Sequence, residues 1–174
     1  MKDNSFLYRI KPLFLSLFLV IADQISKLWV VENIPVNTIY GTYLNDFLWI
    51  VHVRNTGVAF SLGYSFPVVL RIVLFVFVPV VIMVFTTVAI VKKNNTFLTR
   101  TQQYFAAGIL GGGMGTIIDR IIRFDEGVVD FISVKFYGLL GMDRWPTFNI
   151  SDSCVVIFVI LLAVSVLFSK ESKE

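Results

Sequence analysis

Residues 67–91 read PVVLRIVLFVFVPVVIMVFTTVAIV. A helix needs about 20 apolar residues to cross the roughly 30 Å hydrocarbon core of a bilayer, and this run supplies them. Pro79 inside it predicts a kink, unless neighbours satisfy the carbonyl it frees. Three more apolar blocks lie outward along the chain, at about 12–31, 104–122 and 148–168. Pro12 predicts the start of the first, because a helix tolerates a missing N–H in its first turn. The pattern predicts an all-α integral membrane protein with four transmembrane helices, folded as a single membrane-embedded domain over 1–174. Composition agrees: of 174 residues, 56% are apolar and 16% charged, with mean hydropathy +0.79. A soluble domain of this length needs far more polar surface.

The connections are short and uneven in character. Residues 32–66 are rich in β-branched and aromatic residues with partial alternation, which predicts short strands at the membrane surface. Residues 123–147 form a second mixed segment, an outward connection between the third and fourth helices. Residues 92–103 (KKNNTFLTRTQQ) read as a polar hairpin loop. Lys2, Arg9, Lys11, Lys92, Lys93, Arg100, Lys170 and Lys173 are bare basic flanks on the side shared by both termini. That bias places both termini and the 92–103 loop in the cytoplasm. The first apolar block follows a basic leader as a signal peptide would. However, Asp23 and Lys27 interrupt it and no small-residue cleavage pattern follows, so it reads as a retained span.

Several function classes drop out. A net charge of +3, with no basic stripe, gives no footprint for nucleic acid. Cys154 is the sole cysteine and His52 the sole histidine, which excludes an intrachain disulfide and speaks against a zinc site. We therefore expect no metal and no cofactor. His52 reads as a surface-strand residue, and Cys154 as a small apolar residue packed in the fourth span. Trp29, Trp49 and Trp145 all fall near the outward interface, where an aromatic belt is expected.

Charge inside a bilayer costs several kcal/mol, so each polar cluster at the spans needs a reason. In DQISK, Asp23 and Lys27 stand at i and i+4 and can pair; the plain structural reading is an ion pair with Lys27 snorkelling to the interface. Asn55 and Gly57, in NTGVAF, read as a turn. GGGMGTIIDR (111–120) lacks the Gly-Lys-Ser/Thr ending of a phosphate loop. The spacing of Gly111 and Gly115 instead fits close helix approach. Asp119 and Arg120 follow as neighbours that cannot share a helix face, so each needs its own partner. Asp130 lies in VVDF and Asp152 in FNISDS, with Asn149 three residues before Asp152 on one helix face. Helix capping by Asn149 and Asp152 accounts for that pair without catalysis.

Asp130 and Asp152 in apolar settings at one depth admit another reading. If they converge, both cannot easily ionise, and one holds a proton while the other stays charged. The carboxylate then takes a proton from water while the acid protonates a carbonyl, which is metal-free amide hydrolysis. Intramembrane acids also serve ion-coupled transporters, although those tend to show repeats and a mid-bilayer site. A membrane assembly factor with structural ion pairs is the third reading.

In order, DQISK, NTGVAF, GGGMGTIIDR, VVDF and FNISDS resemble the lipoprotein signal peptidase (signal peptidase II) family over nearly the whole chain. The resemblance implies a bacterial inner-membrane aspartyl endopeptidase that cuts prolipoproteins just before a diacylglyceryl-modified cysteine. It implies a catalytic pair at Asp130 and Asp152, supported by Asp23, Lys27, Asn55, Gly57, Asp119, Arg120 and Asn149. It also implies a small extracytoplasmic β-sheet that cradles substrate, a mobile outward segment, contact with membrane lipids, and inhibition by globomycin-type cyclic peptides. Nothing in the sequence asks for more than a monomer. The chain departs from the family pattern at Thr116, where Asn is usual, and at Ser151, where Ala is usual. The stretch SVKFYGLLGMDRWPT (133–147) is longer than in many members. A repacked hydrogen-bond neighbourhood and a reshaped rim are the expected consequences.

Overall fold

The computed structural model describes residues 5–57, 66–92 and 97–171. Residues 58–60 of NTGVAF, 93–96 of the hairpin loop, Lys2 and Lys173 lie outside the described residues, as does the side chain of Lys170. Among the described residues, four helices are long and apolar enough to span a membrane. They are α1 (Phe6–Asn33), α2 (Val68–Val91), α3 (Arg100–Ile122) and α4 (Ile150–Glu171). Between α1 and α2 lie β1 (Thr38–Tyr43) and β2 (Leu48–Asn55), and between α3 and α4 lies β3 (Val128–Val134). The strands form one antiparallel sheet in the order β1–β2–β3.

Of the two prolines within the spans, Pro12 departs from the sequence expectation. Pro12 is not a helix start; it sits within α1, which begins at Phe6 and is capped by the Ser5 side chain. A proline at position 12 frees the carbonyl of Tyr8, four residues earlier. That carbonyl accepts instead from Arg100 Nη2 on α3, at 2.8 Å. Pro79 is met by a π-helical stretch over Val73–Phe77, where the Val78 N–H reaches back five residues to the Val73 carbonyl. The span runs on through this wider turn as one helix, Val68–Val91. At the start of α3, Thr99 and Gln102 form a reciprocal capping box, so this helix begins four residues before the predicted 104.

The side opposite the sheet is tied by Arg9 and Arg100. Arg9 Nη1 donates to the Val91 carbonyl at 3.3 Å, so the start of α1, the end of α2 and the start of α3 meet there. At the other end, both mixed segments join one sheet. His52 belongs to this sheet but is not at its surface. It is buried at a bulge in β2, with Nδ1 2.6 Å from the Ile34 carbonyl.

Helix α3 is the hub, packed on both α1 and α4, and glycines set its distance to each. A Cβ on Gly111 would meet Ser16 Cα at 2.9 Å, and one on Gly112 would meet the Ser151 carbonyl at 2.7 Å. A Cβ on Gly115 would overlap the Ser151 hydroxyl and lie 2.5 Å from Asp23 Oδ2. The expectation of close helix approach at Gly111 and Gly115 is met. A Cβ on Gly113 meets only the Met83 side chain, at an ordinary 3.5 Å to Sδ. Gly112→Ala therefore forces α3 from α4 and should cost about 1–3 kcal/mol of stability, while Gly113→Ala should be near neutral. Thermal unfolding of the two variants in one detergent checks this; equal melting points would refute it.

Candidate active site

The site is assembled where β3, the end of β2 and the start of α4 meet. β3 pairs with β2 so that Val53 faces Asp130 and Asn55 faces Val128. On its other side β3 pairs with residue 148: the Phe131 and Ile132 N–H groups donate to the Phe148 carbonyl, and Phe148 N–H returns to Ile132. This pairing delivers Asn149 beside Asp130 at the first turn of α4.

Asn149 is the hinge of the arrangement. Its Oδ1 accepts from the Asp152 N–H at 3.0 Å, and its own N–H donates to Asp152 Oδ2 at 3.1 Å. The capping role read from the sequence is therefore real. It is also only half of what Asn149 does. Capping fixes the amide orientation, so its Nδ2 donates to Asp130 Oδ1 at 2.7 Å. One residue thus bonds both carboxylates, Asp130 through its side chain and Asp152 through its backbone N–H.

Asn55 repeats the device from the other side. The Gly57 N–H donates to Asn55 Oδ1 at 3.1 Å, a local turn that leaves Nδ2 to donate to Asp130 Oδ2 at 3.1 Å. Gly127, at φ +89°, lets the chain pass beneath this turn; a Cβ there would lie 2.7 Å from the Asn55 carbonyl. Asp130, 3% exposed, has its carboxyl pushed up to about 7. Burial is the largest cause and the nearby Asp152 charge the second, against the lowering pull of the Asn55 and Asn149 amides.

Asp130, Asp152, Asn55, Arg120 and Thr116 line one cleft of about 450 Å³, walled by Leu74, Phe75, Pro79, Val155, Val156 and Trp145. Thr116 therefore faces the cleft. Asp119 and Arg120 have different partners, as expected of helix neighbours. Arg120 donates to the Gly57 carbonyl and lies over the Phe75 ring.

Asp119 points away from the cleft into a buried ion network. Lys27 Nζ is 2.8 Å from Asp23 Oδ2 and 2.9 Å from Asp119 Oδ2, and Arg123 completes the set on Asp119 Oδ1. The ion pair of Asp23 and Lys27 is present, but Lys27 does not snorkel: its side chain is 0% exposed. The ammonium is better matched between two carboxylates than at a helix end.

The long stretch after β3 folds back as a hairpin whose tip carries exposed Tyr137, Leu139 and Leu140. Arg144 pins its base, donating to Ser133 and to the Asp46 and Phe47 carbonyls and stacking on Trp49. Three residues at the site were not singled out from sequence: Arg123, Gly127 and Arg71, whose Nη2 donates to the Thr56 carbonyl at 3.1 Å. Arg71 was findable, since it is a lone charge within an apolar span.

A family model described as signal peptidase (SPase) II matches residues 15–168. The lipoprotein signal peptidase of Treponema denticola is 45% identical over 156 residues, covering 90% of this chain and 88% of that protein. That of Treponema pallidum is 43% identical over 163 residues, covering 94% and 85%. A solved bacterial membrane enzyme superposes with a TM-score of 0.76 at 26% identity, covering 94% of this chain and 91% of that one.

Proposed function

The chain belongs to the signal peptidase II family of aspartic peptidases, which remove signal peptides from prolipoproteins, and on that premise we propose that Asp130 and Asp152 are its catalytic pair. The observation that carries the assignment is Asn149, which donates to both carboxylates in a single cleft. One aspartate in its charged form takes a proton from water as the oxygen attacks the scissile carbonyl. The other, protonated, donates to the carbonyl oxygen. Collapse of the tetrahedral intermediate returns a proton to the leaving amine. Asn55 and Asn149 hold Asp130 in place by donors whose orientation is already fixed by backbone N–H groups. Arg120 reaches both acids electrostatically from the cleft wall. Asp23, Lys27 and Asp119 position the backbone behind the pair.

The apolar walls suit a signal helix and the acyl chains of a diacylglyceryl-cysteine, and globomycin-type cyclic peptides would occupy the same cleft. One chain supplies both aspartates and the amides that hold them, so a monomer in contact with membrane lipids suffices for the reaction. The basic flanks support an inner-membrane location with cytoplasmic termini and a cleft facing outward.

The pair must carry one proton to work. With Asp130 raised to about 7, the protonated form persists below that pH and is lost above it. Both carboxylates are then charged, and kcat/KM for prolipoprotein cleavage falls as pH rises through about 7. A profile that stays level from about pH 6 to about pH 9 would sink the shared-proton reading.

A further inference from the structure

Arg71 lies in the first turns of α2, where a helix's N-terminal dipole disfavours a cation. A charge in an apolar span needs a compensating reason. Among the described residues no carboxylate lies within ion-pair distance of it. Among the described residues it donates to the Thr56 carbonyl, at 3.1 Å, and lies by the ring of Phe124, 5.8 Å from its guanidinium carbon. The next carbonyl along, that of Gly57, is held by Arg120.

Two guanidinium groups from two different helices thus grip successive carbonyls of one turn. Among the described residues, that turn reaches Asp130 through Asn55. Gly57 N–H fixes Asn55 Oδ1, and the fixed amide donates to Asp130 Oδ2. Gly127 blocks relaxation from below, since its backbone lies directly against Asn55 and Thr56. Rotating the Thr56 peptide would swing Gly57 N–H away from Asn55 and release the amide that holds Asp130.

We propose that Arg71 is a positioning residue for the hydrolysis, acting through the Thr56 carbonyl and Asn55 on Asp130. The inference rests on the assignment of Asp130 to the catalytic pair. Arg71 touches neither aspartate, so its loss impairs the alignment of the reacting groups rather than the binding of substrate. A misplacement of a fraction of an ångström at a reacting group is enough to be read kinetically.

The test is single-turnover cleavage of a purified prolipoprotein by the full chain in mixed micelles, sensitive enough to follow slow variants. R71M is expected to lower the turnover rate about tenfold with half-saturation changed less than about twofold. R71K, which keeps the charge but not the planar fork, should recover part of that loss. In an N55A background the Arg71 substitution should cost nothing more, because both act along one path. Losses that multiply in the double variant, a loss confined to half-saturation, or full activity of R71M would each overturn the proposal. If R71M does not fold, R71K alone and with N55A supplies the same comparison. Full turnover by Asp130→Asn would overturn the underlying assignment instead, so the two failures are read from different variants.

Discussion

Asp152→Asn abolishes prolipoprotein cleavage, by about 10⁴-fold or more, while leaving the fold in place. The substitution is nearly silent structurally. Asp152 Oδ2 accepts from the Asn149 N–H, and an asparagine Oδ1 takes that bond equally well. Only the ability to exchange a proton is removed. Asp130→Asn should lose as much activity and also some stability. Asp130 receives two amide donors, one on each oxygen. Neither can turn, because Gly57 N–H locks Asn55 and Asp152 N–H locks Asn149. An asparagine at 130 therefore sets its own NH₂ against one of them, at a cost of about 1–3 kcal/mol for the unsatisfied group. Cleavage read by gel shift, with melting points of both variants, checks the pair of claims. Turnover at the wild-type rate by either variant removes that residue from the reaction.

How much of this was legible follows the range of the interactions. Apolar runs of helix length are local, and the four spans could be read directly from them. Helix ends were less legible where a distant group changes the local rule. Pro12 looks like a start until Arg100, eighty-eight positions on, takes the carbonyl of Tyr8 that the proline frees. The sheet was half visible. Alternating β-branched residues marked strands in 32–66, but nothing local says that residues 128–134 pair with them, because strand register is set by partners far away in the chain. His52 was misplaced for the same reason: its burial comes from the Ile34 carbonyl and a bulge, neither of which leaves a sequence signature. At the site, the capping pair Asn149 and Asp152 was readable as spacing. That Asn149 also reaches Asp130 was not, since this depends on residue 148 pairing with β3.

Lys27→Met should unfold or severely weaken the protein, and the reason reaches the active cleft. Asp23 Oδ1 accepts from the N–H of Ser151, the residue before Asp152, at 3.0 Å. Asp119 Oδ2 accepts from the N–H of Val129, the residue before Asp130, at 3.2 Å. Lys27 stands between the two carboxylates, at 2.8 and 2.9 Å. The buried cation therefore fixes the distance between the two backbone segments that carry the aspartates. Removing it leaves Asp23 and Asp119 facing each other without their shared cation, and breaking a buried pair this way costs about 3–5 kcal/mol. A drop in melting point of about 10 °C is the expected reading for a chain of this size. Neutralising all three, as Asp23→Asn, Lys27→Met and Asp119→Asn together, should restore part of that stability, because asparagine oxygens still accept from Ser151 and Val129 and no carboxylate is left without its cation, while Arg123, 12% exposed, loses its partner on Asp119. Cleavage should stay well below wild type, since uncharged groups no longer draw the two segments together across Lys27. A Lys27→Met protein as stable as wild type would show that the network is ornamental; a triple variant with full cleavage would show that it stabilises the bundle without positioning the pair.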